Sequence, residues 1–115
     1  MSINMEEELV KNTITFWRSA ELVYKTGDYT SATILYFKCL FALFDCILFR
    51  KLRKTPKDHT ERFRMLEVSF PEFYSILDKY FPLYRDTYSL AIGKEKCDEV
   101  KKHVSGIIKK QGIEV

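Results

Sequence analysis

The stretch ATILYFKCLFALFDCILF, residues 32–49, decides the fold. Only Lys38 and Asp45 carry charge in it, and aromatic, aliphatic and cysteine residues occupy every side of its helical projection. A helix that is apolar all round must be buried all round. In a chain of 115 residues it is either the central post of a small bundle or half core and half subunit interface. The run approaches the ~18 apolar residues of a membrane span. Its two charges interrupt it and no second span accompanies it, so the expectation is a core helix and no membrane contact.

The rest of the composition agrees with one bundle. Hydrophobic residues make up 46% of the chain and aromatics 15%, enough to bury a core without disulfide or metal support, so residues 1–115 are read as a single domain. Cys39 and Cys46 lie seven apart on one helix and Cys97 is remote, a pattern of small buried hydrophobes in a reducing compartment. There is no C-x-x-C, and His59 and His103 are far apart, so no metal and no cofactor are expected. Residues 1–8 are polar and acidic, unlike a secretory leader, and the expected location is cytoplasmic.

Outward from the central stretch, the apolar period is helical throughout. Val10, Ile14, Trp17, Ala20 and Tyr24 share a face of a first helix that ends at Thr26-Gly27, with Asp28 as N-cap of the second. The second helix should run to about Lys54, where Thr55-Pro56-Lys57-Asp58 offers an N-cap, a first-turn proline and an acid for a third. Ser69-Phe70-Pro71-Glu72 repeats that logic for a fourth, with Phe73, Ile76, Leu77 and Tyr80 inward. Pro82 should kink or interrupt it near Phe81, with a continuation to about Ile92. After Gly93, Cys97, Val100, Val104, Ile107 and Ile108 form the stripe of a last helix. The expected fold is all-α, an up-and-down bundle of about five helices.

Charge is concentrated. Between residues 50 and 64 seven basic side chains (Arg50, Lys51, Arg53, Lys54, Lys57, Arg62, Arg64) face only Asp58 and Glu61, although the whole chain carries a formal +3. Two readings fit: a solvated helix end whose cations suit the C-terminal dipole, or an anion site built on the free N–H groups of the third helix.

An ordered set of short motifs follows the same path. Tyr36-Phe37, Phe41-Ala42 and Asp45 lie on the apolar helix, Pro56-Lys57-x-His59 opens the next, and Arg85-Asp86-Thr87-Tyr88 precedes the final amphipathic helix. From about residue 27 to residue 110 this resembles the HEPN family of small helical proteins. The resemblance implies an up-and-down bundle that forms a homodimer, binds nucleotides or RNA, and pairs with a minimal nucleotidyltransferase in a toxin–antitoxin type of system. It also implies, for some members, a metal-independent ribonuclease with an Arg-x(4–6)-His motif. Arg85-Asp86 matches the start of that motif, but Leu90, Ala91 and Ile92 stand where its histidine would be. Arg53 and His59 have the required spacing, which makes them the candidate catalytic pair, with His59 moving protons. Lys57, Arg85, Asp86 and Tyr88 are the candidate phosphate- and ligand-binding residues.

Two further residues are structural candidates. Tyr36 and Asp45 are polar groups inside an apolar helix, and Asp45 needs a cation, either Arg85 or a basic residue across a dimer. The alternative function is a non-catalytic protein-interaction module. Residues 20–40 resemble one tetratricopeptide-type hairpin, without the further copies a solenoid needs, and a scaffold or antitoxin-like partner also fits a small helical chain.

Overall fold

The computed structural model describes residues 4–115; residues 1–3, the start of the polar opening segment, lie outside the described residues. Five helices follow in order: α1 (Met5–Lys25), α2 (Tyr29–Leu52), α3 (His59–Ser69), α4 (Pro71–Asp86) and α5 (Lys94–Lys110). The molecule measures 39 × 28 × 23 Å, so its thinnest dimension holds about two layers of ~10 Å helices.

The α1–α2 corner forms as the cap residues dictate. Gly27 takes φ +83, a left-handed conformation open to glycine without a Cβ clash. The Asp28 carboxylate then accepts the Ser31 N–H at 3.0 Å and starts α2. α1 and α2 pack as an antiparallel pair, with α5 along their other side, while α3 and α4 form a hairpin that docks more lightly on α2. The bundle is thus a three-helix layer (α1, α2, α5) with a two-helix layer laid across its central member.

That arrangement buries α2. Tyr36, Phe37, Cys39, Leu43, Phe44, Cys46 and Leu48 are wholly inaccessible, and Phe41 retains only 8% of its surface. The apolar surplus that the sequence left for a possible partner is therefore covered within one chain, and α2 itself does not demand a subunit interface. By length and composition α2 is the one described helix apolar enough to cross a membrane, and 72% of its most apolar window is buried inside the fold.

Several boundaries differ from expectation, each for a local reason. α3 begins at His59, three residues later than the Pro56 start. Asp58, rather than Thr55, is its N-cap and accepts the Glu61 N–H at 2.8 Å. Pro56 disfavours helical backbone at Thr55, and an aspartate caps better than a threonine. Ser69 ends α3 instead of capping α4; Phe70 is the cap residue, without a side-chain hydrogen bond, and Pro71 takes the first turn. α4 runs unbroken through Pro82. Pro82 and Asp78 are both exposed, so the carbonyl that loses its donor faces water. The helix stops at Asp86 rather than Ile92, because Thr87–Ser89 turn and the Ile92 N–H is held by the Thr30 hydroxyl at 2.8 Å.

Candidate functional site

The seam between the two layers carries the densest chemistry. On α2, Lys38, Phe41 and Asp45 fall three and four residues apart and so share one stripe. α3 brings His59 and Arg62 on successive turns, and α4 brings Phe81, Tyr84 and Arg85.

Arg62 joins these elements. Its Nε and Nη2 donate to the two carboxylate oxygens of Asp45 at 2.7 and 3.0 Å, a bidentate pair, and its Nη1 donates to Nδ1 of His59 at 2.7 Å. The guanidinium also lies 5.1 Å from the centre of the Phe41 ring. Asp45 therefore finds its cation on α3, not at Arg85 and not across a dimer. The sequence reading missed Arg62, although a signal was there. Arg62 lies three and four residues before Met65 and Leu66, on the buried stripe of α3.

The contact fixes the state of His59. A guanidinium only donates, so Nδ1 must accept, and the proton of the neutral ring sits on Nε2. The ring packs edge-on against Phe41 at 4.7 Å and Phe81 at 5.3 Å, with Tyr84 at 6.0 Å. Desolvation by these neighbours, followed by the charge of Arg62 with Lys38 adding to it, lowers its pKa below the ordinary imidazole value, while Asp45 and Asp58 oppose the shift. His59 thus offers an N–H donor and no free basic nitrogen.

Arg85 reaches the same patch, its guanidinium 6.0 Å from the centre of Phe81, and remains exposed. Tyr88 is 78% exposed, with its hydroxyl 3.3 Å from that of Tyr84. Burial and the neighbouring Tyr88 hydroxyl push the Tyr84 phenol up to about 12, so it stays neutral. The structure thus gathers His59, Arg85 and Tyr88, with Lys38, around an aromatic floor of Phe41, Phe81 and Tyr84.

The remaining candidates lie apart from that floor or are occupied. Arg53 is the C-cap of α2 in left-handed backbone, φ 60, and stacks on Phe49 at 5.5 Å; the arginine that touches His59 is Arg62. Lys57 is exposed, and its backbone N–H donates to the Glu61 side chain at 3.2 Å. Asp86 is exposed, and its carbonyl accepts the Ser89 and Leu90 N–H groups. Tyr36 is fully buried between α1 and α2, donating to Glu21 at 2.6 Å. The α3 N-terminus, offered by the sequence as an anion site, is already filled by the Asp58 carboxylate. Much of the basic segment is likewise spoken for: Arg50 pairs with Glu6 and Gln111, and Lys51 reaches the Ser69 carbonyl over Phe70. Lys54, Lys57 and Arg64 are left exposed.

A concavity of about 240 Å³ opens beside the seam between α1 and α2. A larger one, about 440 Å³, lies between α4 and α5 over Phe73, Ile76, Tyr80, His103 and Ile107, and none of the candidate residues lines it. Among the described residues no three His, Cys, Asp or Glu side chains come together as a metal-binding set. No family model, no curated protein and no solved structure matches this chain.

Proposed function

We propose that this chain is a HEPN-like bundle that acts in nucleotide- or RNA-associated regulation by binding nucleotide phosphate at the seam of α2, α3 and α4. The observation that carries the reading is the arrangement around His59. An exposed imidazole with a donor N–H, two exposed cations and an exposed tyrosine stand together over an aromatic floor, while Asp45 is paired with Arg62 and Asp58 is engaged as the α3 cap. Lys38, His59 and Arg85 would hold phosphate, Tyr88 would stack on a base, and Lys57 would add to the attraction from the adjoining linker. Because Nδ1 is occupied by a donor, the site favours binding over proton abstraction, and Arg53 stands too far into its own cap to serve as partner in a ribonuclease pair. In the pairing that the resemblance implies, this chain would be the HEPN half beside a nucleotidyltransferase-domain protein. A homodimer would use a surface other than α2.

Fluorescence polarisation with a labelled single-stranded RNA tests the reading. Affinity should fall steeply between 50 and 200 mM salt, and Lys38→Ala or Arg85→Ala should each flatten the log–log slope by about 0.7. The RNA should emerge intact after incubation in EDTA. Cleavage that is abolished by His59→Ala would instead restore His59 as an acid–base residue. Binding indifferent to salt, alongside stoichiometric capture of one protein without nucleic acid, would favour the interaction-module alternative.

A further inference from the structure

We propose that the groove between α1 and α2 is a base subsite of this nucleotide site, separate from the Tyr88 ring, and that it takes an adenine ring; the inference rests on the phosphate reading above. The groove is formed by two facing stripes, Leu9, Asn12 and Phe16 on α1 and Lys38, Phe41, Ala42 and Asp45 on α2, around about 240 Å³. Each stripe has the three- and four-residue spacing that aligns side chains along a helix, so the groove follows from the register of the α1–α2 pair. Three of its residues belong to both sites. Lys38 and Asp45 stand at its rim, and Phe41 is a wall of the groove while also supporting the His59 ring at 4.7 Å. A ligand whose phosphate lies at Lys38 and His59 therefore has its next group at the mouth of the groove.

The lining selects the kind of group. Leu9, Phe16, Phe41 and Ala42 make it apolar, which rewards a flat ring and rewards a purine more than a pyrimidine, because more surface leaves water. Asp45 is mostly covered, at 16% exposure, and both its oxygens already accept from Arg62, so it offers a base less than an open carboxylate would. The remaining neutral polar group is Asn12, exposed on α1, whose amide makes no side-chain hydrogen bond among the described residues. An amide presents one donor and one acceptor side by side, the complement of adenine N7 and N6. Guanine O6 and N7 call instead for an arginine or lysine, and the one cation at the groove, Lys38, is committed to phosphate.

Isothermal titration at low salt with AMP, UMP and ribose 5-phosphate tests this on the whole chain. AMP should bind about tenfold tighter than ribose 5-phosphate, as expected for one stacked base, and tighter than UMP. Asn12→Leu, at an exposed position that should not disturb folding, should bring AMP down to the UMP level and leave ribose 5-phosphate unchanged, whereas Lys38→Ala should weaken all three. Equal binding of AMP and ribose 5-phosphate would overturn the base subsite while leaving the phosphate site standing. An AMP preference that survives Asn12→Leu intact would place the base outside this groove and overturn it too. Binding of none of the three would remove the phosphate reading, and this inference with it.

Discussion

At the scale of single residues, two side chains sit where the backbone or the proton would prefer otherwise. Arg53 occupies left-handed space, φ 60 and ψ 28, where a glycine is the usual occupant. Arg53→Gly should raise stability by about 0.5–1 kcal/mol in urea denaturation, since removal of the Cβ strain exceeds the added flexibility of the unfolded chain. A loss of stability would show that the stacking of Arg53 on Phe49 outweighs the strain. His59 gives a pH effect of definite sign. Its folded pKa lies below the ordinary value, so the unfolded chain takes up the proton first as pH falls below about 6.5. Stability should therefore decline from pH 7.5 towards pH 5, and His59→Gln should shallow that decline. His103, also lowered by burial first and by Lys79 next, leaves a residual slope in the variant. An unchanged slope in His59→Gln would mean that neither the burial of the ring nor its Arg62 contact holds in solution. The need of Asp45 for a partner was legible in the sequence; the identity of that partner was not. It depends on how α3 crosses α2, and Arg62 follows Asp45 by seventeen positions that include a linker whose path no periodicity encodes.

At the scale of elements, the Asp45–Arg62 pair ties α3 to α2, while ring contacts such as Phe37–Tyr84 and Phe44–Phe73 hold α4 there. Asp45 and Arg62 are both mostly covered, at 16% and 10% exposure, so truncating one strands the other. Asp45→Ala should cost about 3 kcal/mol, whereas the double change Asp45→Leu with Arg62→Met should cost much less, because a packed apolar pair carries no desolvation penalty. Equal losses in the two variants would mean that packing volume, rather than charge, is what the pair supplies. Helix existence was readable from the 3.6-residue apolar period alone, and the Gly27-Asp28 corner from its cap chemistry. The errors fall at α3 and α4, where competing caps (Thr55 against Asp58, Ser69 against Phe70) and an exposed proline are settled by which face meets water. The candidate site divides the same way. His59, Arg85 and Tyr88 carried local motifs, whereas Lys38, Arg62 and Asn12 acquire their place only when three helices meet.

At the scale of the whole molecule, the layering separates a well-tied part from a loosely tied one. α1, α2 and α5 are cross-linked by Tyr24 to Asp98, Lys101 to Glu21 and Arg50 to both Glu6 and Gln111, while α3 and α4 lean chiefly on each other. Opening should start at the seam and reach the centre last. The three cysteines happen to be placed to time it. Cys39 and Cys46 lie on α2 and Cys97 on α5, all fully buried, and burial lifts the Cys39 thiol to about 12. None can react with a thiol reagent while the centre is closed. Native-state alkylation should therefore proceed at the rate of global unfolding, accelerate in Asp45→Ala in proportion to its lost stability, and modify all three sulfurs together. Fast modification of Cys97 alone would show that α5 detaches first. The molecule thus carries its own chemical clock, three silent sulfurs that start to count only when the bundle comes apart.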